Sequence, residues 1–299
     1  MQLQPRERIE LDATGPNWEQ AEYWNEQAGP KWVVEKATLD HMIRPYGDAA
    51  IDGLKLTGSE SVLDVGCGTG QTSLQLASRI PSGHLLCVDI SEPMLARAQQ
   101  DAQAEGYSNI RFERADAQTY PFEQAVFDVV FSRFGVMFFA DPQAAFSNLH
   151  RALKPGGQLR FVCWQPLSEN EWISVPMRIV AMHAAADGVE LPGPPPPGSP
   201  GPLSLGDPAH LKGILSAAGF QDVTLEDSRI AVALGKDATL ESAIHTAVQL
   251  GPAAGAFREL EAGVQQQVAN ALRSELEPYL TPEGVRLRSA CWLVNARRA

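Results

Sequence analysis

Cysteine is scarce in this chain of 299 residues: Cys67, Cys87, Cys163 and Cys291 are all there are, and no C-x-x-C spacing occurs among them. Neither a disulfide framework nor a zinc site is expected from that pattern. The last three lie in apolar, strand-like runs, where a free thiol behaves as a small hydrophobe. Long apolar runs are missing too. Stretches such as 136–140 fall far short of the roughly 20 residues that cross a bilayer, so no membrane span is expected. Basic charge is in deficit: 24 Lys and Arg against 36 Asp and Glu give a formal charge of -12. Without a local basic patch such a surface repels the phosphate backbone, so no nucleic-acid partner is expected. Residues 1–11 mix Arg6 and Arg8 with Glu7 and Glu10 and lack the apolar core of a secretory signal, so a cytoplasmic location is expected. No internal repeat is found.

What is present is the composition of a folded globular chain, 44% hydrophobic and 20% charged. Its length suits one α/β core enlarged by insertions as well as it suits two domains. A helix is expected around 18–25, then another from Pro30 with Trp32, Leu39 and Ile43 on one face, ending where Pro45 can begin a new one. From Ser61 short apolar runs alternate with amphipathic helix-length segments, which signals βαβ units and a parallel sheet. The pattern predicts strands at 61–65, 85–89, 110–113, 127–131 and 158–163, and two more near 223–226 and 290–295. Ser91, Asp141-Pro142 and Asp207-Pro208 are helix starts, while Lys154-Pro155-Gly156-Gly157 and Gly219 are stops.

Two segments break this rhythm. Proline and glycine dominate 191–208, which reads as extended cover. Over 236–278, Leu240, Ile244 and Val248, then Phe257, Leu260, Val264, Val268, Leu272 and Leu276, keep helical spacing. The expected organisation is a helical cap over 1–55, an α/β core over 56–165 continued at 207–235, a proline-rich lid over 166–206, a helical insertion over 236–280 and a final strand over 281–299.

The chemistry-bearing segment is Val62-Leu63-Asp64-Val65-Gly66-Cys67-Gly68-Thr69-Gly70, an apolar strand that runs into three glycines at alternate positions and then a helix. Glycine there lets the backbone approach a ligand and adopt positive φ, and the helix start offers free N–H groups to an anion. A nucleotide-like ligand is indicated. The dinucleotide fingerprint G-x-G-x-x-G needs glycine where Gln71 stands, so NAD and a dehydrogenase are the weaker reading.

An acid followed by G-x-G-x-G at the end of the first strand resembles the class I S-adenosylmethionine-dependent methyltransferases, in particular the bacterial small-molecule enzymes of ubiquinone and menaquinone biosynthesis. The resemblance covers about 61–164. It continues in Asp89 at the end of the second strand, in Arg114-Ala115-Asp116-Ala117 past the third, in the fourth strand leading to Ser132-Arg133, and in Leu153-Lys154-Pro155-Gly156-Gly157. It implies a Rossmann-like, doubly wound α/β fold with a mostly parallel seven-stranded sheet and helical cap insertions. It also implies S-adenosyl-L-methionine as cofactor, with contacts from Asp64, Gly66, Cys67, Gly68, Asp89, Ile90, Asp116, Ala117 and Ser132. Gly66 and Gly68 would admit the methionine portion, Asp89 would accept both ribose hydroxyls, and Asp116 and Ala117 would receive the adenine. Asp64 would orient the loop or the cofactor's ammonium, and Cys67 would act through its backbone.

Departures from related groups narrow the acceptor. The fourth strand is followed by Ser132-Arg133-Phe134-Gly135, not by the N/D-P-P-Y/F with which amino-methylating nucleic-acid enzymes hold a flipped base. Nor does it end in an acidic pair with nearby Asn, as magnesium-dependent catechol-type enzymes do, so metal-independent transfer is expected. The acceptor is expected to be a small, largely apolar organic molecule, and the motifs leave open whether O, N, S or C is methylated. Arg133 and Phe134, past a strand's carboxyl end, are candidates for the acceptor side together with Trp24 and Trp32, which also read as packing. His41 is the candidate base. Two other classes stay open: an S-adenosylmethionine-using enzyme of another reaction type and a non-catalytic cofactor-binding module. The oligomeric state is not indicated.

Overall fold

The computed structural model describes residues 14–299 except 192, 194 and 197. The expected absence of a signal in residues 1–11 and the prolines Pro192, Pro194 and Pro197 of the extended cover therefore lie outside the described residues.

Three helices precede the sheet: α1 (Trp18–Glu22) passes through a π turn at Tyr23–Gln27 into α2 (Ala28–Val34), and α3 (Lys36–Asp52) follows. The single helix expected from Pro30 to Pro45 is corrected. The break falls at Glu35, where φ is -94° and ψ 17°, and Pro45 sits inside α3. Proline there removes the hydrogen bond to the carbonyl four residues back, on His41, but both positions face solvent, where water can take that carbonyl. Burial of Leu39, Met42, Ile43, Tyr46, Ala50 and Ile51 along the other face keeps the helix continuous across it.

The strands are β1 (Ser61–Val65), β2 (His84–Asp89), β3 (Ile110–Arg114), β4 (Phe127–Arg133), β5 (Leu153–Trp164), β6 (Phe220–Leu234), β7 (Leu280–Thr281) and β8 (Gly284–Arg298). They form one sheet in the order β3-β2-β1-β4-β5-β8-β6, with the two-residue β7 paired to β8 outside that path. The first five strands run parallel, and β8 is antiparallel to both β5 and β6. Central strands of such a sheet are covered on both faces, which is why Val62 and Leu63 of β1 are completely buried although they point to opposite sides. Strand order reverses between β1 and β4, and open α/β sheets bind ligands outside the carboxyl ends at that point.

Between the parallel strands run α4 (Gln71–Arg79), α5 (Glu92–Ala104) and α6 (Pro142–Ala152); beyond them come α7 (Glu171–Ala186) and α8 (Pro208–Ala217). Asp141 and Asp207 cap α6 and α8 by accepting the N–H groups of Ala144 (2.9 Å) and His210 (2.7 Å). The 236–278 segment folds into α9 (Leu240–Gln249), α10 (Ala254–Arg258) and α11 (Ala262–Leu276). Helix α7 falls where a proline-rich lid is expected, and its internal Pro176 disguises the buried series Ile173, Ile179, Val180 and Ala184. Strands β6 and β8 run 15 residues each, far beyond 223–226 and 290–295. Edge strand β6 is mostly polar and exposed through Glu226, Asp227 and Ser228, so its apolar signal is confined to short pieces. All four cysteines are free and buried.

Candidate functional site

The end of β1 turns sharply under three glycines, Gly66, Gly68 and Gly70, with φ of 66°, 59° and 84°. The tips of β1 and β4 meet backbone to backbone there: a Cβ on Gly66 would stand 2.7 Å from Gly135 Cα, and one on Gly135 2.6 Å from the Val65 carbonyl oxygen. Ser132 stitches the two tips together. Its hydroxyl donates to the Val65 carbonyl at 2.7 Å and accepts from the Gly135 N–H at 3.2 Å. Ser132 is fully buried and does not line the cavity, so its expected cofactor contact is corrected to a role in shaping the cradle.

Asp64 lies buried behind the loop, where Ser73 Oγ at the start of α4 donates to its Oδ2 at 2.6 Å and its Oδ1 has no partner. Burial pushes its carboxyl up to about 7, against the Ser73 hydrogen bond and the charge of Arg133. It does not line the cavity, which leaves it the loop-orienting part of its expected role and not a contact with the cofactor's ammonium. Cys67 does line the cavity, and burial pushes its thiol well above the usual range.

Asp89, at the tip of β2, binds the glycine loop to the start of α5. Its Oδ2 accepts from Gly68 N–H at 2.7 Å and its Oδ1 from Ser91 N–H at 2.8 Å. Burial raises its carboxyl and these hydrogen bonds oppose the rise. Asp89 and Ile90 both line the cavity. Beyond β3, Asp116 and Ala117 line the same end. Both Asp116 oxygens accept from Asn17 Nδ2, at 3.0 and 2.9 Å, while Asn17 Oδ1 accepts from Ala140 N–H at 2.7 Å. Nothing local in the sequence marks Asn17, because its partners lie about a hundred positions away. Further along, Ser91 Oγ donates to the Trp24 carbonyl at 2.8 Å and Glu92 N–H donates to Asn25 Oδ1 at 2.9 Å. The helices before the sheet are thus fastened to the tips of β2 and β3.

The cavity measures about 500 Å³ and continues from this backbone cradle to an aromatic wall. Trp24 meets Trp32 and Phe138 edge to face at 5.5 and 5.3 Å. Phe134 stacks on Trp164 at 4.2 Å with the rings 12° apart, and Trp172 lies 4.9 Å from Trp164. Phe134 has φ of 60°, an uncommon state for a bulky residue, and is held there by its N–H bond to the Val162 carbonyl and by that stacking. Residues 200–202 and 250–252 complete the lining. Trp172 Nε1–H is buried and has no partner.

Trp24, Trp32, Arg133 and Phe134 all line the cavity. His41 does not: it lies on the exposed face of α3, opposite the face that carries Leu39, Met42 and Ile43, and the expectation that it serves as base is corrected. Asp40, which the sequence does not single out, lines the cavity in its place and is ion-paired with Lys36. Asp40, Trp164 and Trp172 become site residues only through tertiary packing.

Residues 62–157 match a family model described as a methyltransferase domain. The chain is 39% identical over 110 residues to a demethylmenaquinone methyltransferase of Thermus thermophilus, which is 37% of this chain and 50% of that protein. It is 29% identical over 194 residues to the nocamycin O-methyltransferase of Saccharothrix syringae, 64% of this chain and 69% of that protein. The chain spans about half the length of the first of these relatives. Among solved structures, the YcgJ protein of Bacillus subtilis shares the fold with a TM-score of 0.53 at 18% identity, over 86% of this chain and 98% of that one.

Proposed function

We propose that this chain, built around a class I S-adenosylmethionine-dependent methyltransferase domain, transfers the methyl group of that cofactor to a small, largely apolar organic acceptor. One observation carries the reading: a single cavity joins the glycine cradle and Asp89 to a wall of indole and phenyl rings. The cradle suits the cofactor. The cavity-lining carboxylate of Asp89 suits a ribose diol, Gly68 permits close approach of the ligand to the backbone, and Ile90, Asp116 and Ala117 supply one apolar and one polar edge for adenine.

When bound, the cofactor would supply a methyl group already activated on a sulfonium. The chain's own residues align the partners and keep water out. Trp24, Trp32 and Phe138 close one side of the wall, and Phe134 and Trp164 close another. Trp172 adds a third indole to this wall, which favours an acceptor carrying a ring. The names of the relatives, a demethylmenaquinone methyltransferase and an O-methyltransferase for nocamycin, agree with acceptors of that kind. Incubation with methyl-labelled S-adenosylmethionine and a panel of quinol and hydroxylated ring compounds should give labelled product and S-adenosylhomocysteine in equal amounts. Binding of S-adenosylhomocysteine with no label passed to any ring compound would contradict the acceptor class.

A further inference from the structure

We infer that Asn17 is a positioning residue for the cofactor's base: it holds the Asp116 carboxylate at the cavity wall, so that a ligand carrying an exocyclic amine is preferred over one that lacks it. The inference rests on the methyltransferase reading above, in which Asp116 receives adenine, and adds a residue that lies outside the matched segment 62–157.

Asn17 stands at the N-cap position of α1, where an asparagine side chain ordinarily accepts an N–H of the first turn. It makes no such bond. The side chain leaves its own helix uncapped, is 5% exposed and lines the cavity. Its contacts fix which way the amide points. Nδ2 donates to both oxygens of Asp116 and, at 3.1 Å, to Gln118 Oε1, whereas Oδ1 accepts from the backbone N–H of Ala140. A flipped amide would set its oxygen against the carboxylate and its N–H groups against the Ala140 N–H, so only one orientation satisfies all four contacts.

The same network holds the carboxylate. Gln118 N–H donates to Asp116 Oδ1 at 2.9 Å, and Gln118 Oε1 accepts from Asp141 N–H at 3.0 Å, so the loops after β3 and β4 meet the start of α1 in one cluster. No cationic side chain among the described residues forms an ion pair with Asp116. Neutral N–H donors therefore orient this carboxylate without the opposing charge that a guanidinium or ammonium would bring. A carboxylate fixed in this way at a cavity wall favours a ligand that donates an N–H to it and leaves an acceptor unmet when the ligand has none. Adenine's amine is such a donor. Without Asn17 the Asp116 side chain is free to turn to water, and a ligand must then offset the entropy of ordering it.

Calorimetry at about pH 8, where free carboxyls are ionised, tests this with S-adenosylhomocysteine and its deaminated purine analogue, in which hydrogen replaces the exocyclic amine. Wild-type protein is expected to prefer S-adenosylhomocysteine at least about tenfold. Asn17→Ala is expected to bring that preference within about threefold, by weakening S-adenosylhomocysteine while the analogue changes little. Ser91→Ala removes the bond to the Trp24 carbonyl and so loosens the same helices without touching Asp116; it is expected to keep the full preference. If Asn17→Ala does not fold, Asn17→Asp, which keeps the size and the acceptor for Ala140 but not the donor, is expected to lose the preference in the same way. Equal wild-type affinity for the two ligands overturns the inference. So does an Asn17 variant that weakens both ligands by one factor, or a change of preference in Ser91→Ala as large as in Asn17→Ala. Wild-type protein that binds neither ligand overturns the underlying methyltransferase reading as well.

Discussion

The end of the cavity proposed for the cofactor is made largely of backbone, at the glycine loop and the tips of β2 and β3, whereas the end proposed for the acceptor is made of side chains drawn from the N-terminal helices, β5, α7 and the segments around 201 and 251. The difference lies in what each must recognise. A cradle that hands N–H groups and one carboxylate to a fixed ligand needs particular φ angles and a strand end, and these impose glycine and Asp at set spacings. A wall for an apolar acceptor needs area and shape, which many combinations of indole, phenyl and proline can supply. One cradle can therefore serve many acceptors, and only the wall can distinguish them.

The strongest way to break the comparison is at the backbone. Gly66→Ala combines a φ of 66° with a Cβ 2.7 Å from Gly135 Cα, neither of which a flexible side chain can relieve. Strain and overpacking together should cost about 4 kcal/mol in denaturant unfolding and abolish S-adenosylhomocysteine binding by calorimetry. A variant with near wild-type stability and affinity would show that the cradle is looser than described.

Proton linkage probes what lies behind the cradle. Asp64 has its carboxyl raised by burial to about 7 from 3.8, so the folded protein keeps the proton where the unfolded chain has lost it. The stability this proton confers is fully present below about pH 4 and is lost as the pH rises toward 7, on the order of 4 kcal/mol. Asp64→Asn retains a partner for Ser73 and should flatten that slope relative to wild type in unfolding curves between pH 4 and 8. An unchanged slope would place the Asp64 carboxylate in a polar setting instead.

The smallest effect sharpens the comparison from the acceptor end. Trp172→Phe removes part of the ring surface of the wall, so kcat/KM for a ring acceptor should fall about tenfold with S-adenosylhomocysteine affinity unchanged. His41→Ala, on the exposed face of α3, should leave both within about twofold. A parallel loss of cofactor affinity in Trp172→Phe would join the two ends that the structure separates.

Legibility in the sequence followed the same division. Strand β1 appears at the residues its apolar run predicts, and Gly66, Cys67, Gly68, Asp89, Ile90, Asp116 and Ala117 all line the cavity, because local conformation and chemistry coincide at those positions. Ser132 and Asp64 sit one layer behind, since a buried hydroxyl that ties two strand tips reads in sequence like one that faces a ligand. The spacing of Leu39 and Ile43 already turns that face of α3 inward and His41 away from it, while Asp40, beside that face, lines the cavity. Pro45 reads as a break, yet it lies within a helix whose apolar face is buried, as Pro176 does in α7. Asn17, Trp164 and Trp172 have no local signature, because their roles depend on partners far along the chain.

Central to the proposed function is Asp89, whose carboxylate holds the glycine loop and is proposed to take the cofactor's ribose. Calorimetric titration of wild type and Asp89→Ala with S-adenosylhomocysteine tests it most directly. One-to-one binding is predicted for wild type, weakened at least about 100-fold in the variant by the loss of two charge-assisted hydrogen bonds. Equal affinity in the two proteins, or tight binding of NADH with no response to S-adenosylhomocysteine, would contradict the account.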